Sequence, residues 1–455
     1  MPPQNPRSRI AGSLGASVFS NCVTILTQLF VIPVFLKYWD KETFGEWLVV
    51  STVPAFLALA DAGFGTFGGN LLAKAGLQQK NGTYLRLFST VYFTSVGVSL
   101  LLIIISVLGI LTLPILTILH LRLLSRHAAS ASLVLLSVSA GCAMLNQFFI
   151  GLYRALNRFA RGTYALNLVR LAQFLFTCSL APFTKDITLL SLAIAGTQLF
   201  ATLGIQIDLY RLNALNRPSL NRIRPALAVY IFKRSFSLLL FPVGNTLLFP
   251  TMSLLVNAIL GPASLVTFNA LRTLTRTGTQ FVGILHAALA PEITGLLFRK
   301  DSIRAQRLYF VMMLTTLASV SLLVCVIFFA GPWVLRVWTK NSVHSDSPQL
   351  LLFALPSAIS GIWMGVALLL RMLNHYAVIA WSYLFAATTA LALGYVLCPR
   401  FGISGAVLGM ILADALQLCS VIYVLRTLNL FQERGTSNVN PLWSRMRILT
   451  TLITG

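Results

Sequence analysis

Apolar residues along this chain fall into runs of about 20, the length that carries a helix across roughly 30 Å of hydrocarbon. Twelve such runs can be traced, at 10–36, 44–63, 87–113, 129–152, 163–183, 188–210, 235–260, 264–288, 308–331, 350–370, 376–397 and 402–425. The connections between them are short. Two, 64–86 and 289–307, carry Lys or Arg on one face and predict helical segments lying along the membrane interface. The stretch 331–349 is too short to hold a folded domain. The first run is longer than the apolar core of a signal peptide and no small-residue cleavage site follows it, so it is expected to remain as a span. The pattern predicts an all-α polytopic membrane protein.

Composition agrees with the pattern. Of 455 residues, 57% are hydrophobic and 10% charged, with a mean hydropathy of +0.82, which excludes an ordinary soluble domain. The balance of 34 Lys and Arg against 11 Asp and Glu, a net charge of +23, suggests either an acidic partner or basic loops on one side of a membrane. With the N-terminus placed in the cytoplasm, 23 of the basic residues fall on the cytoplasmic side, eight on the other, and three (Arg170, Arg272 and Arg276) inside spans. Such a split predicts that both termini are cytoplasmic, and it takes away the main argument for a nucleic-acid partner.

Shifting the chain against itself reveals matches at corresponding places in two sets of six spans. Trp39-Asp40 aligns with Leu260-Gly261, and Arg86-Leu87-Phe88 with Arg307-Leu308-Tyr309. Arg154-Ala155-Leu156-Asn157-Arg158-Phe159 aligns with Arg371-Met372-Leu373-Asn374-His375-Tyr376, and Arg211 and Arg426 close the two halves. Six is even, so both halves enter from the same side, and the repeat is parallel with the substrate path expected between them. The predicted organisation is a six-helix bundle over 1–210, a basic cytoplasmic linker over 211–234, a second bundle over 235–430 and a cytoplasmic tail over 431–455.

Polar groups within spans mark candidate sites, since a charge at a helix centre costs about 2.5–3.5 kcal/mol on insertion scales. Asn269, Arg272, Arg276 and Gln280 lie within one arc of roughly 80° and read as a cavity wall that binds an anion. Their plain alternative is arginines reaching for the interface. The fifth span repeats the pattern with Asn167, Arg170, Gln173 and Thr177; the first presents Ser17, Asn21, Thr24 and Gln28. These suit a hydroxyl-rich ligand, though such residues equally join packed helices. Asn245 lies between Pro242 and Pro250, which are expected to kink or break the seventh span. Glu46, Asp61 and Asp414 are candidates for carrying a coupled ion, and each is equally readable as a helix-end charge or an ion-pair partner.

Other motifs carry little. Gly63-Phe64-Gly65-Thr66-Phe67-Gly68 fits GxGxxG but follows a membrane helix, not a strand. The sequon Asn81-Gly82-Thr83 falls on the cytoplasmic side, and the six cysteines form no CxxC pair. No histidine spacing suits a metal, His286 reads as a packed helix residue, and no catalytic grouping is visible. No cofactor and no enzymatic activity are expected. Trp47, Trp333 and Trp338 read as interfacial anchors.

Asn21, Gln28, Pro33, Lys37-Tyr38-Trp39, Phe44-Gly45-Glu46-Trp47, Pro54 and Asp61-Ala62-Gly63-Phe64-Gly65 together resemble the opening of the polysaccharide transporter family. These are the Wzx-type oligosaccharide flippases of the MOP exporter superfamily. Gly402-Ile403-Ser404-Gly405-Ala406 is similar to the family's C-terminal pattern. Asp40 departs from the glycine common in its turn, whereas Gly261-Pro262 in the second half keeps it. The resemblance implies two six-helix, MATE-like bundles around a central cavity and alternating access driven by a proton or sodium gradient. It further implies a cargo of undecaprenyl-diphosphate-linked oligosaccharide, moved between leaflets of a bacterial plasma membrane, with a polysaccharide polymerase and a chain-length regulator as possible partners. On that reading Arg170, Arg272 and Arg276 together hold the anionic head group. A multidrug exporter of the same superfamily and a membrane glycan polymerase or ligase are the competing readings; the arginines weigh against the first, and the short loops against the second.

The topology is directly testable. In a cysteine-free background, Ser345→Cys should react with a membrane-impermeant maleimide on intact cells, and Ser219→Cys only after lysis. The reverse pattern would invert the predicted orientation.

Overall fold

The computed structural model describes residues 6–61, 63–75, 82–212, 218–299, 301–372 and 376–427. The described residues are helical almost throughout. The helices are α1 (Pro6–Tyr38), α2 (Lys41–Leu57), α3 (Phe64–Ala75), α4 (Gly82–Thr112), α5 (Ile115–Ile118), α6 (Arg126–Ala155), α7 (Phe159–Leu180) and α8 (Ile187–Arg211). They continue with α9 (Pro225–Thr246), α10 (Met252–Leu260), α11 (Pro262–Phe298), α12 (Ser302–Trp338), α13 (Ser347–Met372), α14 (Tyr376–Phe401) and α15 (Ile403–Thr427).

All twelve predicted runs fall on helices. Ten of the described segments are long and apolar enough to cross a membrane on length and hydropathy alone. The other two predicted spans, α2 and α7, fall short for plain reasons. The helix α2 has 17 residues before a 3₁₀ turn over Ala58–Asp61, and α7 carries Arg161, Asn167, Arg170 and Gln173. Both pack between longer helices: α2 against α6 and α11, α7 against α1 and α8. The chain is a multi-pass, all-α membrane protein.

Within the first half α6 is the hub, packing against α2, α3, α4, α7 and α8; within the second, α13 and α14 each pack against α15, and α11 against both α12 and α13. Across the halves, α1 and α2 meet α11, α2 meets α10, and α3 and α4 meet α9. Of the two predicted interfacial segments, 64–86 does contain a separate helix, α3. The other, 289–307, does not: α11 runs on without a break through Pro291 to Phe298, and α12 begins at Ser302. A proline inside a membrane helix is tolerated where neighbouring helices re-satisfy the freed backbone.

Helix starts account for three of the acidic residues. Asp40, Asp186 and Asp301 cap α2, α8 and α12, accepting from the amides of Thr43, Thr188 and Arg304 at 2.9, 2.8 and 3.2 Å. Lys185 ties the α7–α8 turn to Asp40 at 2.8 Å. Glu46 is used differently. It is 1% exposed, and its carboxylate accepts the backbone amides of Arg122, Leu123 and Leu124, the last at 3.0 Å. A buried carboxylate satisfied by three amides is a clamp on the α5–α6 loop.

That loop lies on the face opposite the basic loops, and on this face the halves are pressed together. A Cβ on Gly45 would sit 2.5 Å from the carbonyl oxygen of Pro262, and Asn257 Nδ2 donates to the Leu119 carbonyl at 3.1 Å. Trp47 is buried there rather than anchored at an interface, and Trp338 donates to the Leu29 carbonyl on α1 at 2.7 Å. On the basic face, the segment after α8 docks on α4, with Ser219 and Arg224 amides donating to Ser89 and Thr90 hydroxyls.

Removing the Glu46 clamp should be costly. Glu46→Ala is expected to lose on the order of 2–3 kcal/mol, because three partly buried amides lose a charged acceptor. Glu46→Gln should lose less, since the amide keeps one acceptor oxygen. Melting temperatures of the purified full-length variants check the order; equal melting for both variants and the parent would contradict it.

Candidate functional site

Two spaces inside the bundle bring together the polar residues of the spans. The larger, about 690 Å³, lies in the first half between α2, α6, α7 and α8, with Leu239 and Pro242 of α9 completing its wall. Its polar lining is Ser51 on α2, Ser139, Asn146 and Gln147 on α6, Arg170 and Gln173 on α7, and Gln198 on α8. Gln173 Nε2 donates to Gln198 Oε1 at 3.0 Å and leans on the Ile194 carbonyl at 3.4 Å. Among the described residues lining this space there is no Asp or Glu; the Asp61 side chain, between the lining residues Ala58 and Gly63, is not among those described.

The smaller space is a crevice of about 20 Å³, room for a single water-sized molecule. Arg272, Arg276 and Asp414 line it, with Phe249, Ser357 and Ser360. Its shape comes from a break in the helix ladder. Pro250 has no amide to donate, and between α9 and α10 the chain makes a π turn over Leu247–Thr251. The Thr246 carbonyl, four residues before Pro250, accepts from Thr251 Oγ1 at 3.0 Å, while the Phe249 carbonyl accepts the Met252 amide together with Arg272 Nη1 at 3.2 Å and Ser253 Oγ at 3.1 Å. Arg272 also donates to Asn269 Oδ1 and lies 5.0 Å over the Phe268 ring; Arg276 lies 3.7 Å over the Phe249 ring. Trp363 Nε1 donates to Asp414 Oδ1 at 2.9 Å, and Asp414 is 4% exposed. The described ion pairs are Arg161–Asp208, Lys185–Asp40 and Arg304–Asp301, so Asp414 shares the crevice with two guanidinium groups without closing a salt bridge to either.

Arg276 differs from its neighbour in one respect that matters. It is solvent-exposed, although it lies 14 residues into α11. At 1.5 Å per residue that is about 21 Å from the start of the helix, too deep for its side chain to reach that interface. A guanidinium at such depth is costly to leave in hydrocarbon.

Not all the residues singled out in the sequence gather here. Arg170, Arg272 and Arg276 do not form one cluster: Arg170 lines the large cavity and the other two the crevice, because α7 and α11 belong to different halves. Gln280 turns from the crevice toward α1, where its amide donates to Gln28. Asn167 is buried and spends its amide on the Thr163 carbonyl of its own helix at 2.8 Å. Asn245 accepts from the Tyr383 hydroxyl at 3.0 Å, joining α9 to α14. Asn21 is half-buried on α1 and lines neither space. The side chain of Asp61 lies outside the described residues, as do residues 373–375 of the second repeated motif. His286 is a packed residue, its Nε2 2.9 Å from Thr316 Oγ1.

Sequence reasoning missed Asn146, Gln147 and Gln198. The signal was present, since Ser139 and Gln147 are eight residues apart and share a face of α6. Trp363 and Tyr383, which surround Asp414, could not be picked out from the many aromatic residues of the spans.

No family model matches the chain, and no curated protein matches its sequence. Solved structures do match. The chain is similar to a multidrug resistance MATE family transporter of the MOP superfamily in an inward-facing conformation, with a TM-score of 0.67 and 13% identity over 94% of this chain and 96% of that one. It is similar to the lipid II flippase MurJ in an inward closed conformation, with a TM-score of 0.69 and 12% identity over 92% and 87%. Against an outward-facing MATE structure the TM-score is 0.61, with 13% identity over 98% and 96%. The fold is therefore the one these transporters share, two bundles around a central cavity.

The crevice geometry separates the two arginines in stability. Arg272→Ala removes one of the donors to the Phe249 carbonyl and to Asn269 Oδ1, both of which keep Ser253, and should cost about 1–2 kcal/mol. Arg276→Ala, at an exposed side chain, should leave the melting temperature within about 2 °C of the parent. Matched losses for the two variants would show that Arg276 is as integral to the packing as Arg272.

Proposed function

We propose that the chain is a flippase for oligosaccharide linked to undecaprenyl diphosphate. It moves this cargo from the inner to the outer leaflet of a bacterial plasma membrane by ion-coupled alternating access, with both termini in the cytoplasm. The observation that carries the reading is the exposed Arg276 at membrane depth, beside Arg272 and with Arg170 in the neighbouring cavity. Arginine pays a large desolvation cost in hydrocarbon, and a guanidinium matches phosphate oxygens in geometry and charge. A diphosphate is the part of such a cargo that most needs a cation inside the membrane.

Asp414 is the carboxylate placed to couple transport to a proton or sodium ion. It shares the crevice with Arg272 and Arg276, so a change in its charge acts directly on the groups assigned to the diphosphate. Closure on the face away from the basic loops, through Gly45 against Pro262 and Asn257 against Leu119, fits a state open toward the cytoplasm.

Deletion of the gene, complemented with variants at matched protein level, tests the reading. Loss of the protein should leave complete lipid-linked units on the inner leaflet. Arg276→Ala should reduce surface glycan about tenfold or more, with partial rescue by Arg276→Lys. Unchanged lipid-linked pools together with altered drug sensitivity would overturn the proposal in favour of a multidrug exporter.

A further inference from the structure

The large cavity of the first half contains a feature that packing does not explain. Asn146 is 1% exposed, sits in the cavity wall, and neither its Oδ1 nor its Nδ2 has a hydrogen-bond partner. Buried amides usually join helices, as Gln173 and Gln198 do here, and leaving one unpaired is costly. Next to it Gln147 is exposed on the same wall, and Ser139 and Arg170 also line the cavity.

We infer that this cavity is a separate subsite for the sugar portion of the cargo, read through Asn146 and Gln147. An amide offers both donors and an acceptor, the complement of a hydroxyl or an N-acetyl group. Three glutamines, an asparagine and two serines among the described lining residues suit sugar hydroxyls, and Arg170 also admits an acidic sugar. A volume of about 690 Å³ is that of a small-molecule pocket and holds part of an oligosaccharide.

The position of the cavity supports the assignment. Pro242 lines the cavity and Phe249 lines the arginine crevice, and the two lie seven residues apart on one helical run. Seven residues are nearly two turns, so both spaces open along one face of that run, about 10 Å apart along its axis. A diphosphate held at Arg276 therefore places its attached sugar within reach of Asn146. The inference rests on the flippase reading, and it divides recognition: the second half holds the charge, and the first half reads the sugar.

The test uses the full-length protein in lipid nanodiscs and two probes, bare undecaprenyl diphosphate and the same lipid carrying one N-acetylhexosamine. The parent should bind the sugar-bearing lipid about tenfold more tightly than the bare one. Asn146→Leu should abolish that preference, leave the affinity for bare lipid unchanged, and melt no lower than the parent, because it removes an unpaired buried amide. Gln147→Ala, at an exposed position, should lower the preference by a few-fold without touching stability. Arg276→Ala should weaken both lipids alike. Equal binding of the two lipids by the parent would overturn the subsite while leaving the flippase reading intact. A variant at Asn146 or Gln147 that weakens both lipids equally would also overturn it. Failure of the parent to bind either lipid would overturn the flippase reading itself.

Discussion

The high cost of holding charge in hydrocarbon is the constraint on which the rest of the structure depends. The chain carries few acidic residues, and the described ones are mostly kept out of the apolar interior. Asp40, Asp186 and Asp301 sit at helix starts, where unpaired amides take up their charge, and Asp208 is held by Arg161 and by the Tyr153 hydroxyl. Glu46 is buried but fully engaged by backbone amides. Once these are set aside, Asp414 is the described carboxylate that is buried among apolar helices with only an indole donor. The two guanidinium groups of Arg272 and Arg276 lie in the same crevice. Asp414, Arg272 and Arg276 bring incompletely paired charge together at one place, which makes it the candidate site.

The same constraint explains what was legible in the sequence. Length and hydropathy are local properties, so the twelve apolar runs and their helical nature could be read directly. Depth was also legible for Arg276, because its helical stripe continues through Asn269, Arg272 and Gln280. Partners distant in the chain were not. Nothing near Glu46 announces that its acceptors will be filled by amides 76 to 78 residues later. Nor does the spacing of Arg170 from Arg272 and Arg276 show that the two helices face different spaces. The segment 289–307 was misread for a related reason. Its basic residues match an interfacial helix in composition, but helix continuity through Pro291 is decided by the neighbours of α11, not by its own sequence.

The run from α9 to α10 has a role that neither half could supply alone. Pro242 and Pro250 each remove a backbone donor, and the second is accompanied by the π turn that turns the Phe249 carbonyl toward Arg272. The same carbonyl also accepts the Met252 amide and the Ser253 hydroxyl, so Arg272 is tied directly to the turn. Meanwhile the N-terminal part of the same run meets α3 and α4 of the first half, and the C-terminal part meets α2. One irregular helix thus borders both internal spaces and touches both bundles.

This arrangement bears on how the two bundles would move. Rocking of one half against the other changes the distance between groups on different halves while leaving each half's interior packing intact. Arg272, Arg276 and Asp414 all belong to the second half, so their mutual geometry is preserved in such a motion; Arg170 and Asn146 belong to the first. A cargo that touches both sets is held in two places whose separation depends on the state of the protein. A rigid cluster of all three arginines would bind equally in both states and would give the motion no preference for direction. Dividing the contacts between halves makes affinity depend on conformation, which is the condition for a bound cargo or a coupled ion to bias alternating access.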